Sequence, residues 1–152
     1  MIDLSADIRN LSSSLSQEIL DEVLSDLIEL AESELDVYVE FINGDNSYWV
    51  RTPEEELEED EDLPFGIIEI GDDQPTFLKI VAFAHEVGHC LFYKDGAFEG
   101  VNCTLFTESA AWYLGYHFMQ EHGYFIDIKE YNKELEYAID LYRRSENARD
   151  AK

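Results

Sequence analysis

The stretch AFAHEVGHCLFY, residues 82–93, places two histidines and a glutamate inside an otherwise apolar run. Burying such groups is costly unless each has a partner. If the run is a helix, His85 and His89 lie one turn apart on the same face, so two imidazole nitrogens can reach one metal ion. Glu86 lies about 100° around the axis, near the metal without needing to bind it. The alternative, a pair of satisfied core histidines, leaves Glu86 without a partner.

The spacing H-E-x-x-H favours metal-assisted hydrolysis. A bound zinc ion lowers the pKa of its water ligand from about 15.7 to about 7, which makes a nucleophile available at neutral pH. Glu86 is placed to act as the general base toward that water. A catalytic zinc takes three protein ligands and keeps the fourth position for water. The sequence therefore predicts a metal site formed by His85, His89 and one further residue.

Glu108 is the best candidate for the third ligand. It lies 19 residues after His89, near the start of its own predicted helix. Ala111 and Gly115 share the face of that helix with Glu108. Because both are small, this helix can pack closely against the one that carries Gly88, as a shared metal requires.

The motif HEVGH followed by TESAAW resembles the gluzincin metallopeptidases, in the compact form of the ImmA-like proteins of phages and mobile elements. The resemblance covers residues 66–119, about a third of the chain. It implies a zincin-like fold, zinc held by the two histidines and Glu108, and Glu86 as the catalytic base. It also implies that GIIEIG, residues 66–71, is the active-site edge strand on which a substrate peptide lies antiparallel.

The chain departs from this resemblance around the metal. Many larger gluzincins carry an acid four residues after the third ligand, where it orients a histidine ligand; this chain has Trp112 there, so another carboxylate or a backbone carbonyl must take that part. The donor to the oxyanion of the tetrahedral intermediate is also open. Tyr113, Tyr116, His117 and His122 are near enough in sequence, but each is expected to serve the fold rather than catalysis.

The preceding sequence predicts the first elements that support this site. A helix is predicted over residues 16–35, where apolar residues recur at three- and four-residue steps and Ser16 opens the cap region. The segments DVYVEFI and SYWVR flank NGDN, which predicts a hairpin, and GIIEIG is a further short strand. Residues 54–62 carry eight acids in nine positions, so a solvated loop is expected there.

Three helices are predicted to follow the strands. The motif helix begins near Pro75 and runs to about Tyr93, with Lys94-Asp95-Gly96 as its stop. The segment FTESAAWYLGYHFMQEHG forms the next helix, capped by Thr107 and ended near Gly123. The last helix spans residues 128 to about 147. The separation of strands from helices indicates an α+β fold with an N-terminal helix, a small three-stranded sheet, the motif helix, the third-ligand helix and a C-terminal helix.

Length and composition predict one globular domain, residues 1–152, because the chain is 45% hydrophobic and long enough for one core. No apolar run reaches the roughly 18 residues of a membrane-spanning helix. The start MIDLSADIRN lacks the pattern of a secretory signal. Cys90 and Cys103 make no disulfide framework, which favours the cytoplasm. Cys90 points away from the ligand face and is expected to be buried and inert.

The formal net charge of −25 is unevenly distributed. The last 24 residues carry six acids and six bases, which leaves 29 acids and four bases in residues 1–128. Such a field repels nucleic acid and anionic membranes, so neither is an expected partner. It attracts cations, basic peptides or DNA-binding proteins. Acidity that only keeps the chain soluble is an equal alternative.

These features predict a zinc-dependent peptidase, with Zn²⁺ as cofactor, that makes a limited cleavage in an intracellular protein. A different class of function is an acidic decoy or inhibitor that binds a basic or DNA-binding protein and keeps the metal site for structure. A third is a metal-dependent hydrolase of a non-peptide substrate. Glu86→Gln separates the first two, because it should spare metal binding and abolish hydrolysis.

Overall fold

The computed structural model describes residues 10–95 and 104–150 of the chain. Within them lie five helices, a three-stranded sheet and one two-stranded pairing, which confirms the predicted α+β class. In chain order the elements are β1 (Asn10–Leu11), α1 (Gln17–Leu35), β2 (Val37–Ile42), β3 (Tyr48–Arg51), α2 (Glu54–Glu59), β4 (Gly66–Gly71), α3 (Thr76–Asp95), α4 (Thr104–Glu121), β5 (Phe125–Ile126) and α5 (Ile128–Asp150).

Helix α1 begins and ends where the local sequence dictates. The backbone of Ser16 is extended and its side chain accepts a hydrogen bond from the Ile19 N–H at 3.3 Å, so the predicted cap is confirmed. Asp36 follows the helix in the left-handed region, with φ of 55°, and turns the chain into β2. The buried face has helical spacing and consists of Leu20, Val23, Leu24, Leu27, Ala31 and Leu35.

The three-stranded sheet has the order β2-β4-β3, so β2 and β3 do not pair and the predicted hairpin is wrong. Strand β4 runs parallel to β2 and antiparallel to β3. Its Ile68 and Ile70 are fully buried, whereas β2 and β3 both carry exposed side chains. The most buried strand is favoured at the centre, where both of its edges are paired. The loop after β2 passes over the end of β4, since a Cβ on Gly71 would lie 2.7 Å from the Gly44 carbonyl oxygen.

This strand order also corrects the expectation for GIIEIG. That segment is β4, and both of its edges are hydrogen-bonded to neighbouring strands, so it offers no free edge to a peptide. The terminal strands of the sheet are β2 and β3. Any peptide that extends this sheet must therefore add to one of those two.

The acidic segment is a short helix, α2, and the expectation of a loop is wrong. Three glutamates, residues 54–56, occupy its first turn, where negative charge interacts favourably with the helix dipole. Arg51 lies 3.2 Å from Glu54 at the start of this turn. No residue of α2 is buried, so the expected solvation of the acids holds even though the backbone is helical.

Helix α3 begins after Pro75, as predicted, and extends to residue 95, two residues beyond the predicted end near Tyr93. Helix α4 begins at residue 104, three residues before the predicted cap, so Thr107 lies within its first turn. The physical reason is tertiary: Phe106 in that added stretch packs edge-on against Phe92 of α3, with ring centroids 6.5 Å apart. Gly123 follows α4 with φ of 84°, which confirms the predicted end.

Helix α5 begins at residue 128 as predicted and extends to residue 150. The short parallel pairing of β1 with β5 fixes the loop that leads into it. Its Tyr131 is buried, and the hydroxyl donates a hydrogen bond to the Trp112 carbonyl of α4. This contact aligns α5 with α4, so that the second half of α5 passes the residues described next.

Candidate metal centre

His85, His89 and Glu108 converge, as the sequence predicted. The two histidines lie one turn apart on α3, and Glu108 lies in the first half of α4. The His85 Nε2 atom is 2.7 Å from Glu108 Oε2, and the His89 Nε2 atom is 3.1 Å from Glu108 Oε1. One ligand atom from each residue lies within 4.8 Å of the others, so the three could hold a metal ion.

Two glycines allow α3 and α4 to approach closely enough for this. A Cβ on Gly88 would lie 1.7 Å from the Ala111 carbonyl oxygen, and a Cβ on Gly115 would lie 1.9 Å from the Ala84 carbonyl oxygen. Only a residue without a side chain fits at either position. The close packing predicted from Gly88, Ala111 and Gly115 is therefore confirmed.

Glu108 is held as an anion between the two imidazoles. Burial alone raises the pKa of Glu108, but hydrogen bonds with His85 and His89 outweigh burial and hold that pKa well below its usual range. Burial lowers the pKa of His89, because it disfavours the charged imidazolium. The hydrogen bond with Glu108 and the charge of Glu86 outweigh burial, so the pKa of His89 is raised overall. A carboxylate that faces two imidazole nitrogens is the arrangement that a divalent cation can bridge.

Glu86 lies beside this triad and is only 4% exposed. Its Oε2 is 3.8 Å from His85 Nδ1, and it lines the same cleft as the three candidate ligands. Burial raises the pKa of Glu86, and the Glu108 charge adds to that rise, while the two histidines oppose it. A carboxyl group with a raised pKa is suited to accept and return a proton.

Trp112, four residues after Glu108, restrains His85 by stacking. The two rings are 4.3 Å apart and inclined by 12°. The Trp112 side chain is buried, so it forms a fixed wall against one face of the imidazole. The ring of His85 is thereby restrained through its flat face.

Tyr142 of α5 is a site residue that sequence reasoning missed. Its hydroxyl donates a hydrogen bond to Glu108 Oε1 at 3.0 Å, and the side chain lines the cleft. Burial and the neighbouring Glu108 charge raise the pKa of Tyr142 to about 12, so the phenol remains a donor at neutral pH. In the sequence Tyr142 is only one member of the apolar stripe of α5, 34 residues beyond Glu108. No local spacing connects the two.

The four residues considered as oxyanion donors do not line this cleft. Tyr113 is 65% exposed and stacks on His117, which borders a different cavity. The Tyr116 hydroxyl lies 3.4 Å from the Ile126 carbonyl oxygen. His122 Nδ1 lies 2.9 Å from the carbonyl oxygen of the residue four positions earlier. None of the four is therefore placed beside the triad.

The cleft above the triad has a volume of about 530 Å³. Besides the triad, Glu86 and Tyr142, it is lined by Tyr93 of α3 and by residues 46–49, which lead into and begin β3. Strand β3 is the terminal strand on this side of the sheet. Within the described part of the chain, a strand with one unpaired edge therefore contributes to the cleft at the candidate metal site.

Cys90 is fully buried, as predicted, and burial raises the pKa of its thiol to about 12. A thiol in this state is a poor nucleophile and a poor ligand. Cys103 lies outside the described residues.

The chain has no significant match among protein-family models, curated proteins or solved structures. The likeness to gluzincins therefore rests on HEVGH and TESAAW and on the geometry of the triad. Across residues 10–95 and 104–150, no helix is both long and apolar enough to cross a lipid bilayer.

Proposed function

We propose that this chain is a zinc-dependent peptidase of gluzincin type. The observation that carries the proposal is the convergence of His85, His89 and Glu108 within 4.8 Å beside the buried Glu86. Two imidazoles and one carboxylate form a ligand set that zinc takes in hydrolytic enzymes, with one position left for water or substrate. When bound there, zinc would supply a Lewis acid that activates water and polarises a carbonyl group.

Glu86 is the proposed general base. Its carboxylate would take a proton from the attacking water and pass it to the amine nitrogen of the departing peptide. The raised pKa of Glu86 supports this part, because a base whose pKa lies nearer to neutrality can both accept and release the proton. Burial beside the cleft keeps bulk water from competing for that proton.

The free edge of β3 is the proposed substrate platform. Residues 46–49 line the cleft next to the triad, and among the described residues β3 pairs with β4 alone. An extended peptide can add to such an edge through main-chain hydrogen bonds, which brings a carbonyl group past the metal. The surplus of acids in residues 1–128 favours a basic protein as the substrate.

A second candidate function is an acidic decoy for a basic protein, with a structural metal site. It is favoured by the formal net charge of −25. Two of the four bases in residues 1–128 are also paired with acids. Arg51 and Lys79 are each paired with an acid, at 3.2 Å and 2.6 Å. Each of these pairs is locally neutral, so the field that a partner would meet comes from the excess of 25 acids (29 acids less four bases) in residues 1–128.

Glu86→Gln tests the peptidase and separates it from the decoy. The probe is a proteome-derived peptide library incubated with the zinc-loaded protein, followed by labelling of new N-termini. Glu86→Gln should bind zinc like the parent and should lose about 10²- to 10⁴-fold in cleavage rate. Glu56→Gln, an exposed change on α2, is the matched control and should cleave like the parent. Full cleavage by Glu86→Gln, or no cleavage by the zinc-loaded parent, would contradict the proposal.

A further inference from the structure

The two oxygens of the Glu108 carboxylate have different surroundings. Oε2 faces the His85 ring, whose Nε2 lies at 2.7 Å. Oε1 faces His89 Nε2 at 3.1 Å and also receives the Tyr142 hydroxyl at 3.0 Å. These contacts therefore fix the rotation of the Glu108 carboxylate about its terminal C–C bond, so that the two oxygens do not exchange places.

Tyr142 reaches this oxygen from a separate element. Helix α5 is aligned with α4 near its start, where the Tyr131 hydroxyl is bonded to the Trp112 carbonyl. Tyr142 lies eleven residues further along, close to three helical turns, and so projects from the same side of α5. The hydroxyl at its tip meets Glu108 within the cleft.

We propose that Tyr142 is the positioning residue of the metal centre. By donating to Oε1, its hydroxyl fixes the rotation of the Glu108 carboxylate, so that Oε2 keeps facing His85 and Oε1 keeps facing His89. This inference rests on the metal triad of the proposed function. Residues that hydrogen-bond a metal ligand from behind restrict its orientation and strengthen binding. A phenol suits this place because it is a neutral donor, and unlike a lysine it adds no positive charge that would repel the cation.

In this arrangement, Trp112 and Tyr142 together take the part of an orienting acid on α4. Trp112, at that position, restrains His85 through its flat face. Tyr142 restrains the anionic ligand instead, from a helix that lies wholly beyond residues 66–119. The metal centre thus depends on three helices, α3, α4 and α5.

The test compares Tyr142→Phe with Tyr137→Phe in the full-length chain. Tyr137 lies on the same helix and is 66% exposed, so its variant controls for loss of a phenol. Zinc affinity is measured by competition with a chromogenic chelator, in the absence of any substrate. Tyr142→Phe should weaken zinc binding about 10- to 100-fold, and Tyr137→Phe should leave it unchanged.

Two further measurements separate positioning from a general effect on the fold. Bound Co²⁺ should absorb less strongly in the visible range in Tyr142→Phe, because a released carboxylate can bind through both oxygens and raise the coordination number. In a Glu108→Ala background, Tyr142→Phe should cause no further loss of affinity, because the oxygen that it holds is absent. An equal loss in both backgrounds would show that Tyr142 does not act through Glu108.

Failure of this inference is distinguishable from failure of the peptidase. If the parent binds zinc but cleaves nothing, the peptidase is refuted while the affinities still decide the role of Tyr142. If Tyr142→Phe binds zinc as tightly as the parent, with an unchanged cobalt spectrum, the positioning role is wrong and the peptidase stands. If the parent binds no zinc, both are wrong.

Discussion

Replacing Gly88 with alanine should uncouple the two helices that carry the metal ligands. The new Cβ would lie 1.7 Å from the Ala111 carbonyl oxygen, against 3.4 Å for ordinary contact. Helices α3 and α4 would have to separate locally by about 1.7 Å, the difference between the two distances. Ligand positions in a metal site tolerate only about 0.2 Å of change. A shift of this size therefore removes Glu108 from the ligand set formed with His85.

The sign of the stability change discriminates between local and tertiary effects. Helix propensity alone predicts that Gly→Ala within a helix stabilises the protein by about 1 kcal/mol. Overpacking against a backbone atom opposes this by about 3 kcal/mol, at the upper end of its usual range. Gly88→Ala should therefore lower the free energy of unfolding by about 2 kcal/mol. Urea unfolding of the metal-free protein measures this difference.

Zinc affinity gives the second readout of the same variant. Chelator competition should show binding at least about 100-fold weaker in Gly88→Ala. Gly66→Ala is the matched control: its Cβ would meet the Trp49 ring at 2.1 Å, away from the contact of α3 with α4. It should destabilise the chain and leave the zinc affinity of the folded protein unchanged. A Gly88→Ala variant as stable as the parent, with the same zinc affinity, would refute the close approach of α3 and α4.

Three single residues give further tests of the described contacts. The raised pKa of His89 means that its stabilisation of the metal-free fold is complete below the unfolded value of 6.5 and is lost as pH rises through the folded value. Urea unfolding from about pH 6 to about pH 8 should show that loss in the parent and not in His89→Gln. In a Cys103→Ser background, thiol reagents should label Cys90 only as fast as the chain unfolds; rapid labelling of the native protein would contradict its burial. Ser16→Ala should lower the free energy of unfolding by about 1 kcal/mol, and an unchanged urea midpoint would show that the cap contributes nothing.

The part of the site that the sequence predicts is the part encoded by helical spacing. His85, Glu86 and His89 lie within one turn and a half, so their relation follows from the helix alone. Glu108 can also be predicted, because the small residues on its face of the helix indicate a closely packed partner helix. Tyr142 cannot be predicted in this way, because its position depends on how α5 packs along α4, and tertiary contacts set that path.

The strands show the same division between local type and long-range pairing. The segments that became β2, β3 and β4 were recognised from alternation and from β-branched residues. Their order was wrong, because a hairpin signal reports only that two strands are near in sequence. A clue in the sequence is that GIIEIG is uncharged at every position except Glu69, and a largely apolar strand favours a central place. The loop predicted for the acidic segment of α2 is wrong for a different reason. Like charge predicts that a segment is solvated, but it does not prevent a short helix.

The placement of the acids argues for chemistry at the site. Glu86 and Glu108 are the two buried carboxylates within the described part of a chain that has 35 acids. Glu108 is compensated by two imidazoles and the Tyr142 hydroxyl, as a ligand should be. Glu86, by contrast, has its pKa raised by burial, which outweighs the opposing effect of the two histidines. A purely structural metal site requires three or four ligands and gains nothing from a further buried acid beside them. The presence of Glu86 at that place therefore supports the proposed peptidase over the decoy.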